Sequence, residues 1–134
     1  IKDKNLDAVF GSRFTKKSKV IDYPFKKLVL NRIFNLIVQI LFLNKYNDYT
    51  NAFKIYKAKA IKNILPFVSE SFNIFLEIPL KIISRKYSYE IISINWYNRK
   101  LGTAKFNIKE LRAKYLFTLI YCFIEKVLLN KKIK

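Results

Sequence analysis

Two long apolar stretches dominate the pattern along the chain. The first, residues 28–43, is interrupted by four polar positions, Asn31, Arg32, Asn35 and Gln39. Since these positions recur at helical spacing, they predict a helix over residues 26–45 with one polar stripe and an otherwise apolar surface. The second stretch, residues 115–129, opens with ten uncharged residues. It is too short to cross a bilayer, and it predicts either a core helix or a helix lying in a membrane interface.

The remaining segments predict strands and shorter helices. Residues 7–14 contain an apolar run closed by Gly11 and Ser12, and residues 89–97 are β-branched and aromatic, so both predict strands. Pro79 is expected to kink or divide the helix that contains it. The other predicted elements are a mobile basic loop over residues 15–24, helices over residues 52–65, 69–86 and 107–129, and turns over residues 46–51 and 98–103.

The order of these elements, β–loop–α–α–α–β–α, indicates an α/β layer structure. Because only two strands are predicted, we expect an incomplete sheet. The chain begins at Ile1 and contains no Met. We therefore expect it to be a fragment that lacks a first half.

Composition restricts the chemistry. Lys and Arg number 27 against 9 Asp and Glu, and the chain has no His, one Cys and two Gly. These counts exclude a disulfide framework, a Cys/His zinc site, a Ser-His-Asp triad and a glycine-rich phosphate loop. The charge of +18 leaves two non-enzymatic alternatives open, a basic nucleic-acid-binding module and a non-catalytic membrane-surface module.

Five motifs occur in an order that resembles a known enzyme family. They are GSRF at residues 11–14, NRIFN at 31–35, DYTNAFKIYK at 48–57, FLEI at 75–78, and EIISINWYNRKLGTAKF at 90–106. Together they resemble the C-terminal half of family 2 glycosyltransferases, most of all the branch of dolichol-phosphate mannosyltransferases and polyprenyl-phosphate sugar transferases. Three positions depart from the pattern of that branch, Asn51, Ile92 and Ala104.

The resemblance implies a fold and an activity. Residues 1–106 would be the acceptor-side part of a GT-A (Rossmann-like) domain, helix-rich with an incomplete sheet, and residues 107–134 a C-terminal amphipathic juxtamembrane helix. The complete enzyme would transfer a sugar, with inversion, from a nucleotide-sugar to a polyprenyl or dolichyl phosphate at the cytoplasmic face of the membrane. The implied partners are these two substrates and the membrane surface, without nucleic acid.

The resemblance also implies a divalent metal, Mg or Mn, in the complete enzyme. Its Asp-x-Asp ligands would lie in the missing half, because no D-x-D triplet occurs in this sequence. We therefore expect the chain alone to bind no metal and to be inactive.

The chemistry of this transfer needs fixed cations more than a strong base, because the acceptor phosphate is already an anionic nucleophile. By resemblance, Arg13, Arg99 and Glu77 are the candidate catalytic residues. The candidate ligands of the acceptor phosphate are Arg13, Lys27, Arg32 and Lys105, and Asp48 and Thr50 would shape the acceptor site.

Each candidate also has a structural interpretation. Arg13 follows a Gly-Ser turn at a strand end and would otherwise be a solvated loop residue, and Arg32 would extend its charge from an apolar helix into water. Asp48 and Thr50 have the chemistry of an N-cap for the helix predicted after them. Glu77 stands on an apolar face, where an unpaired carboxylate is costly, so it has either a partner or a task.

Overall fold

The computed structural model describes residues 4–100, 102 and 108–132, which form a mixed α/β fold. The fold class is therefore confirmed at the level of α/β. The helices and strands are, in chain order, β1 (Ala8–Ser12), β2 (Val20–Ile21), α1 (Phe25–Phe42), β3 (Lys54–Tyr56), α2 (Ala58–Asn63), α3 (Ile74–Ser84), β4 (Tyr89–Ser93), β5 (Trp96–Tyr97) and α4 (Ile108–Lys132).

The strands form two small sheets. In the larger sheet β1 is central, antiparallel to β3 and parallel to β4. In the smaller sheet β2 pairs with β5 in parallel. Strand β1 is buried because it has a neighbour on each side, and a Cβ at Gly11 would lie 2.8 Å from the carbonyl oxygen of Phe53. Glycine is therefore required where β1 approaches the chain next to it.

Aromatic rings fill the core behind β1. Phe10 is fully buried, and its ring centroid lies 4.9 Å from that of Tyr46 and 4.9 Å from that of Tyr89. Tyr49 packs edge-on against Tyr46. These contacts join the central strand to the segment after α1 and to the neighbouring strand β4, so the carboxyl end of β1 is held rigidly.

Helix α4 packs across both other long helices. It meets α1 through edge-to-face contacts of Phe34 with Tyr115 and of Phe42 with Phe123. The single cysteine, Cys122, is buried in this helix, and burial raises its pKa to about 12. Cys122 is therefore a core thiol with little thiolate character at neutral pH. Among the described residues, no helix is long and apolar enough to cross a membrane.

Several predicted elements are wrong in extent. The helix predicted over residues 52–65 is a strand followed by a single short helix, β3 and α2, because pairing with β1 overrides local helical preference. The strand predicted over residues 89–97 divides into β4 and β5, which belong to different sheets. The segment 15–24, predicted as a loop, contains β2. The long helices are close to prediction, and the helix predicted over residues 69–86 shortens to α3.

Pro79 does not divide α3, which is continuous from Ile74 to Ser84. Proline has no N–H, so it leaves the carbonyl of Phe75, four residues earlier, without its helical donor. The side-chain ammonium of Lys54 donates to this carbonyl at 3.2 Å. A lysine from β3 thus replaces the missing helical hydrogen bond, which explains how the helix tolerates its proline.

Candidate functional site

The strongest polar feature at the end of β1 is a buried ion pair between Arg13 and Asp48. Nε of Arg13 donates to Oδ2 of Asp48 at 2.8 Å, and Nη2 donates to Oδ1 at 2.7 Å. The backbone N–H of Arg13 donates to the same carboxylate at 2.9 Å. Burial by itself lowers the pKa of Arg13, but these bonds outweigh burial and leave the pKa above its ordinary value.

The turn that carries Asp48 is bonded to β1 by side chains. The Tyr46 hydroxyl donates to the carbonyl of Gly11 or of Asp48, at 2.9 and 2.6 Å. The amide of Asn51 donates to the Gly11 carbonyl at 2.9 Å, and the Ser12 hydroxyl donates to Asn47 at 2.6 Å. The N-cap interpretation of Asp48 is therefore wrong, since the element that follows is a strand and the carboxylate binds Arg13.

The polar stripe of α1 faces this same turn. The Asn31 amide donates to the Thr50 hydroxyl at 3.2 Å, and the Asn35 side chain accepts the N–H of Tyr49 at 2.7 Å. The Arg32 guanidinium lies 4.6 Å from the centroid of the Phe14 ring, and that of Arg13 lies 5.2 Å from it. The tertiary structure thus brings together Arg13, Arg32, Asp48 and Thr50, which are far apart in sequence.

A largely apolar groove with a volume of about 600 Å³ opens between α1 and α4 beside this cluster. Tyr23 and Tyr115 link the groove to Arg13, whose guanidinium lies 6.0 Å from the ring centroid of Tyr23 and whose charge acts on Tyr115. Burial raises the pKa of Tyr115 to about 12, and the Arg13 charge partly offsets the effect. The lining residues are Tyr23, Lys27, Leu30, Asn31, Phe34, Thr50, Leu111, Arg112, Tyr115 and Leu116.

The lining residues that were not predicted as site residues from the sequence include Arg112, Tyr115 and Tyr23. Arg112 and Tyr115 both come from α4, three positions apart, so they lie on neighbouring parts of one helical face. Tyr23 precedes α1 and packs against Trp96, with ring centroids 4.6 Å apart and the ring planes tilted by 53°. The helical spacing of Arg112 and Tyr115 predicts that they share a face of α4. The sequence around them does not indicate that this face packs against α1.

Glu77 is used inside the protein. Its carboxylate pairs with Lys81 at 2.8 Å and accepts the backbone N–H groups of Val68, at 3.0 Å, and Ser69, at 2.8 Å. Burial raises the pKa of Glu77, but the Lys81 bond and the amides outweigh it and lower the pKa overall. The buried carboxylate predicted from the sequence therefore has partners, and these belong to α3 and the segment before it.

The remaining candidate residues that the structure describes lie outside the cluster of Arg13, Arg32, Asp48 and Thr50. Lys27 is exposed and lines the groove. Arg99 is exposed in the loop after β5. Within the described part of the chain, neither Glu77 nor Arg99 is among the residues that line the groove. Lys105 lies outside the described residues.

Lys54 is a partly buried cation beside the ion pair. Its ammonium donates hydrogen bonds to three backbone carbonyls, those of Tyr49 at 2.9 Å, of Asn51, and of Phe75. Burial lowers the pKa of Lys54 to about 7, and the nearby Asp48 carboxylate opposes this effect while Arg13 adds to it. The side chain ties the turn after α1 to the first turn of α3.

The lowered pKa of Lys54 predicts that the free energy of unfolding depends on pH. With a pKa of about 7 in the folded chain and 10.5 as the ordinary value, the unfolded chain binds more protons between these limits. The free energy of unfolding should therefore rise with pH in this window, by up to about 1.4 kcal/mol per pH unit from this group. Urea titrations of the native chain and of Lys54→Met at several pH values measure it.

The native curve should diverge upward from that of Lys54→Met as the pH rises from 7 towards 10. Lys62→Met, at an exposed position of α2, is the matched control and should follow the native curve in parallel. Parallel curves for native chain and Lys54→Met would show that burial does not perturb Lys54.

Within residues 4–100, 102 and 108–132, no three His, Cys, Asp or Glu side chains come together as a metal ligand set. Asp48, at the centre of the site, has both oxygens occupied by Arg13. The described residues of this cluster therefore do not supply a ligand set for a divalent cation.

The site thus consists of an apolar groove, cations at its edge and a neutralised buried arginine at a strand end. Such a combination suits an amphiphile with an anionic head group. No protein-family model matches the chain.

Proposed function

We propose that this chain is the acceptor-side part of a GT-A glycosyltransferase that transfers a sugar from a nucleotide-sugar to a polyprenyl phosphate. The transfer would take place at the cytoplasmic face of the membrane, and the nucleotide-binding half and its Mg or Mn ligands would lie outside this chain. The proposal rests on the order of the five sequence motifs. The single structural observation that supports it is the apolar groove with a cationic edge beside Arg13.

The groove has the dimensions and composition for part of an isoprenoid chain. Leu30 and Phe34 come from α1, and Leu111 and Leu116 come from α4, so apolar side chains line both walls. Lys27 and Arg112 carry exposed charges at the same groove. A lipid phosphate would bury its chain between the helices and leave its head group to these cations.

In this proposal Arg13 binds the acceptor phosphate in addition to pairing with Asp48. Asp48 accepts from Nε and Nη2 of its guanidinium, whose Cζ lies 6.0 Å from the ring centroid of Tyr23, a residue that lines the groove. A guanidinium has five N–H donors, so an ion pair with one carboxylate leaves others for a phosphate. Asp48 therefore orients Arg13 and prevents it from binding anions indiscriminately.

The transfer needs no proton acceptor from this chain. A phosphate oxygen of the acceptor forms a bond to the anomeric carbon, and the bond from that carbon to the diphosphate oxygen breaks. The nucleoside diphosphate leaves with the electron pair of the broken bond. The residues of this chain hold the acceptor phosphate in place and lower the repulsion between the two anions.

Binding of farnesyl phosphate to the full chain tests the acceptor site. The single Trp96, whose ring contacts that of Tyr23 in the groove, supplies a fluorescence signal. We expect the double variant Lys27→Gln/Arg112→Gln to bind farnesyl phosphate about tenfold more weakly than the native chain, because two charge-assisted contacts are lost. Farnesol, which has the same chain and no phosphate, should bind the native chain and the variant equally.

Lys59→Gln/Lys62→Gln is the matched control for net charge, since both lysines are exposed on α2 and their replacement should leave affinity unchanged. Equal affinity of the native chain and the double variant for farnesyl phosphate would contradict the proposed acceptor site. So would a submicromolar affinity for RNA at physiological salt with a steep salt dependence, which would favour the nucleic-acid alternative.

A further inference from the structure

Helix α1 is amphipathic in the opposite sense to a helix on the surface of a soluble protein. Its uncharged polar residues face the protein: Asn35 is buried, and Asn31 and Gln39 donate to Thr50 and to the carbonyl of Lys45. Val38 and Phe42 are buried, but a separate set of apolar residues faces outward, with Ile33, Leu36 and Ile40 exposed by 50%, 55% and 63%. A soluble helix shows the reverse arrangement.

The outward apolar residues form one continuous stripe. We call it the outer face of α1; it consists of Phe25, Val29, Ile33, Leu36, Ile37, Ile40 and Leu43. The spacing of three or four residues keeps these side chains on one side of the helix. Isolated exposed apolar residues are common on proteins, but a stripe of five turns requires an explanation.

Leu43 provides an independent observation at the end of this stripe. It caps α1 in the left-handed conformation, with φ of 49°, where glycine or asparagine is normally favoured. It is also 87% exposed. The chain therefore accepts both backbone strain and an apolar side chain in water at a position where glycine would avoid both.

The charges near the outer face indicate what covers it. Helix α1 contains Lys26, Lys27 and Arg32 and no acidic residue, and Lys45 follows its end. Two copies of a chain with a charge of +18 would repel each other at such a surface. An anionic lipid surface, in contrast, attracts these cations and accepts the apolar stripe.

We propose that the outer face of α1 inserts into the interfacial layer of an anionic lipid bilayer, with the helix axis parallel to the membrane plane. Helix α4 packs beside α1, and Leu30 of α1 and Leu116 of α4 share the groove. Docking by α1 therefore places the groove next to the lipid. The inference concerns membrane binding and holds whether or not the chain takes part in sugar transfer.

Flotation of the full chain with vesicles tests this proposal, because bound protein floats while aggregated protein sediments. The vesicles contain phosphatidylcholine and phosphatidylglycerol in equal parts, and the comparison vesicles contain phosphatidylcholine alone. The native chain should float with the anionic vesicles and much less with the neutral ones. The triple variant Ile33→Gln/Leu36→Gln/Ile40→Gln should bind anionic vesicles about a hundredfold more weakly, because three apolar side chains no longer leave water.

The matched control removes three exposed apolar side chains elsewhere: Ile55→Gln on β3, Leu65→Gln after α2 and Ile92→Gln on β4. It should float like the native chain. A second measurement does not depend on the folding of the triple variant. A tryptophan introduced as Ile40→Trp in a Trp96→Phe background should be quenched by brominated lipids, whereas Ile55→Trp in the same background should not.

Three results would overturn the proposal. They are native-like flotation of the triple variant, an unquenched Ile40→Trp in vesicle-bound protein, and a dimer in ultracentrifugation that the triple variant abolishes. The last result would mean that a second copy covers the outer face. If the native chain floats with anionic vesicles but does not bind farnesyl phosphate, only the proposed function is contradicted. The two failures are therefore distinguishable.

Discussion

Replacing Asp48 by Ala should lower the free energy of unfolding by about 3–5 kcal/mol, because it leaves the Arg13 guanidinium buried without its counter-charge. Both side chains are almost completely buried, and the carboxylate also accepts the N–H of Arg13. For a domain whose total stability is of the order of 5–15 kcal/mol, this loss is a large fraction. Urea denaturation followed by circular dichroism measures it.

The matched control for this variant is an exposed ion pair. Glu90→Ala breaks the bond of Glu90 to Lys4, and solvent screening should limit its cost to about 1 kcal/mol or less. The double variant Arg13→Met/Asp48→Leu should recover most of the stability lost in Asp48→Ala, since it removes both charges from the interior. Equal costs for Asp48→Ala and Glu90→Ala would show that the Arg13–Asp48 pair is not desolvated.

A loss of similar size is expected for Glu77→Ala. The substitution leaves the nearly fully buried Lys81 without its closest counter-charge and removes the acceptor for the N–H groups of Val68 and Ser69. Glu125 is a poor substitute because its carboxylate lies 3.9 Å from Lys81 and is bound to Arg85 at 2.5 Å. The expected decrease in the free energy of unfolding is about 3–5 kcal/mol, measured by urea denaturation at pH 7.

The pH dependence of this variant provides a second test. Because the pKa of Glu77 is lowered in the folded chain, its contribution to stability is complete above the ordinary value of 4.5 and is lost as the pH falls through the folded value. The advantage of the native chain over Glu77→Ala should therefore shrink in acid. Glu70→Ala, at an exposed position near α3, is the control and should cost little at any pH. An unchanged difference between pH 7 and strong acid would contradict the assignment.

The long elements could be predicted because their patterns are strong and local. The four polar positions of α1 and the apolar length of α4 are enough to place both helices within a few residues. The pattern also predicted the buried Glu77 as a residue with a partner or a task. It could not predict β3, since residues 54–56 become a strand only through pairing with β1.

The sequence predicted several residues of the candidate site but not the contacts between them. Arg13, Arg32, Asp48 and Thr50 were singled out from the sequence, but the N-cap interpretation of Asp48 failed because the helix expected after it does not form there. The sequence also did not predict the donor to the Phe75 carbonyl, which Pro79 leaves without its helical hydrogen bond. That donor, the Lys54 ammonium, comes from another element. Arg112 lines the groove only because α4 packs on α1, which the sequence did not predict.

The sequence by itself determined the α/β class, the positions of the long helices, the excess of cations and the apolar character of α1, since each depends on spacing and composition within one segment. Only the tertiary structure decided which side of α1 faces outward, which carboxylate neutralises Arg13 and where a groove opens. The physical reason is that hydrophobic periodicity defines the faces of a helix but not their neighbours. Ion pairs and cavities depend on contacts between segments that lie many residues apart in the chain.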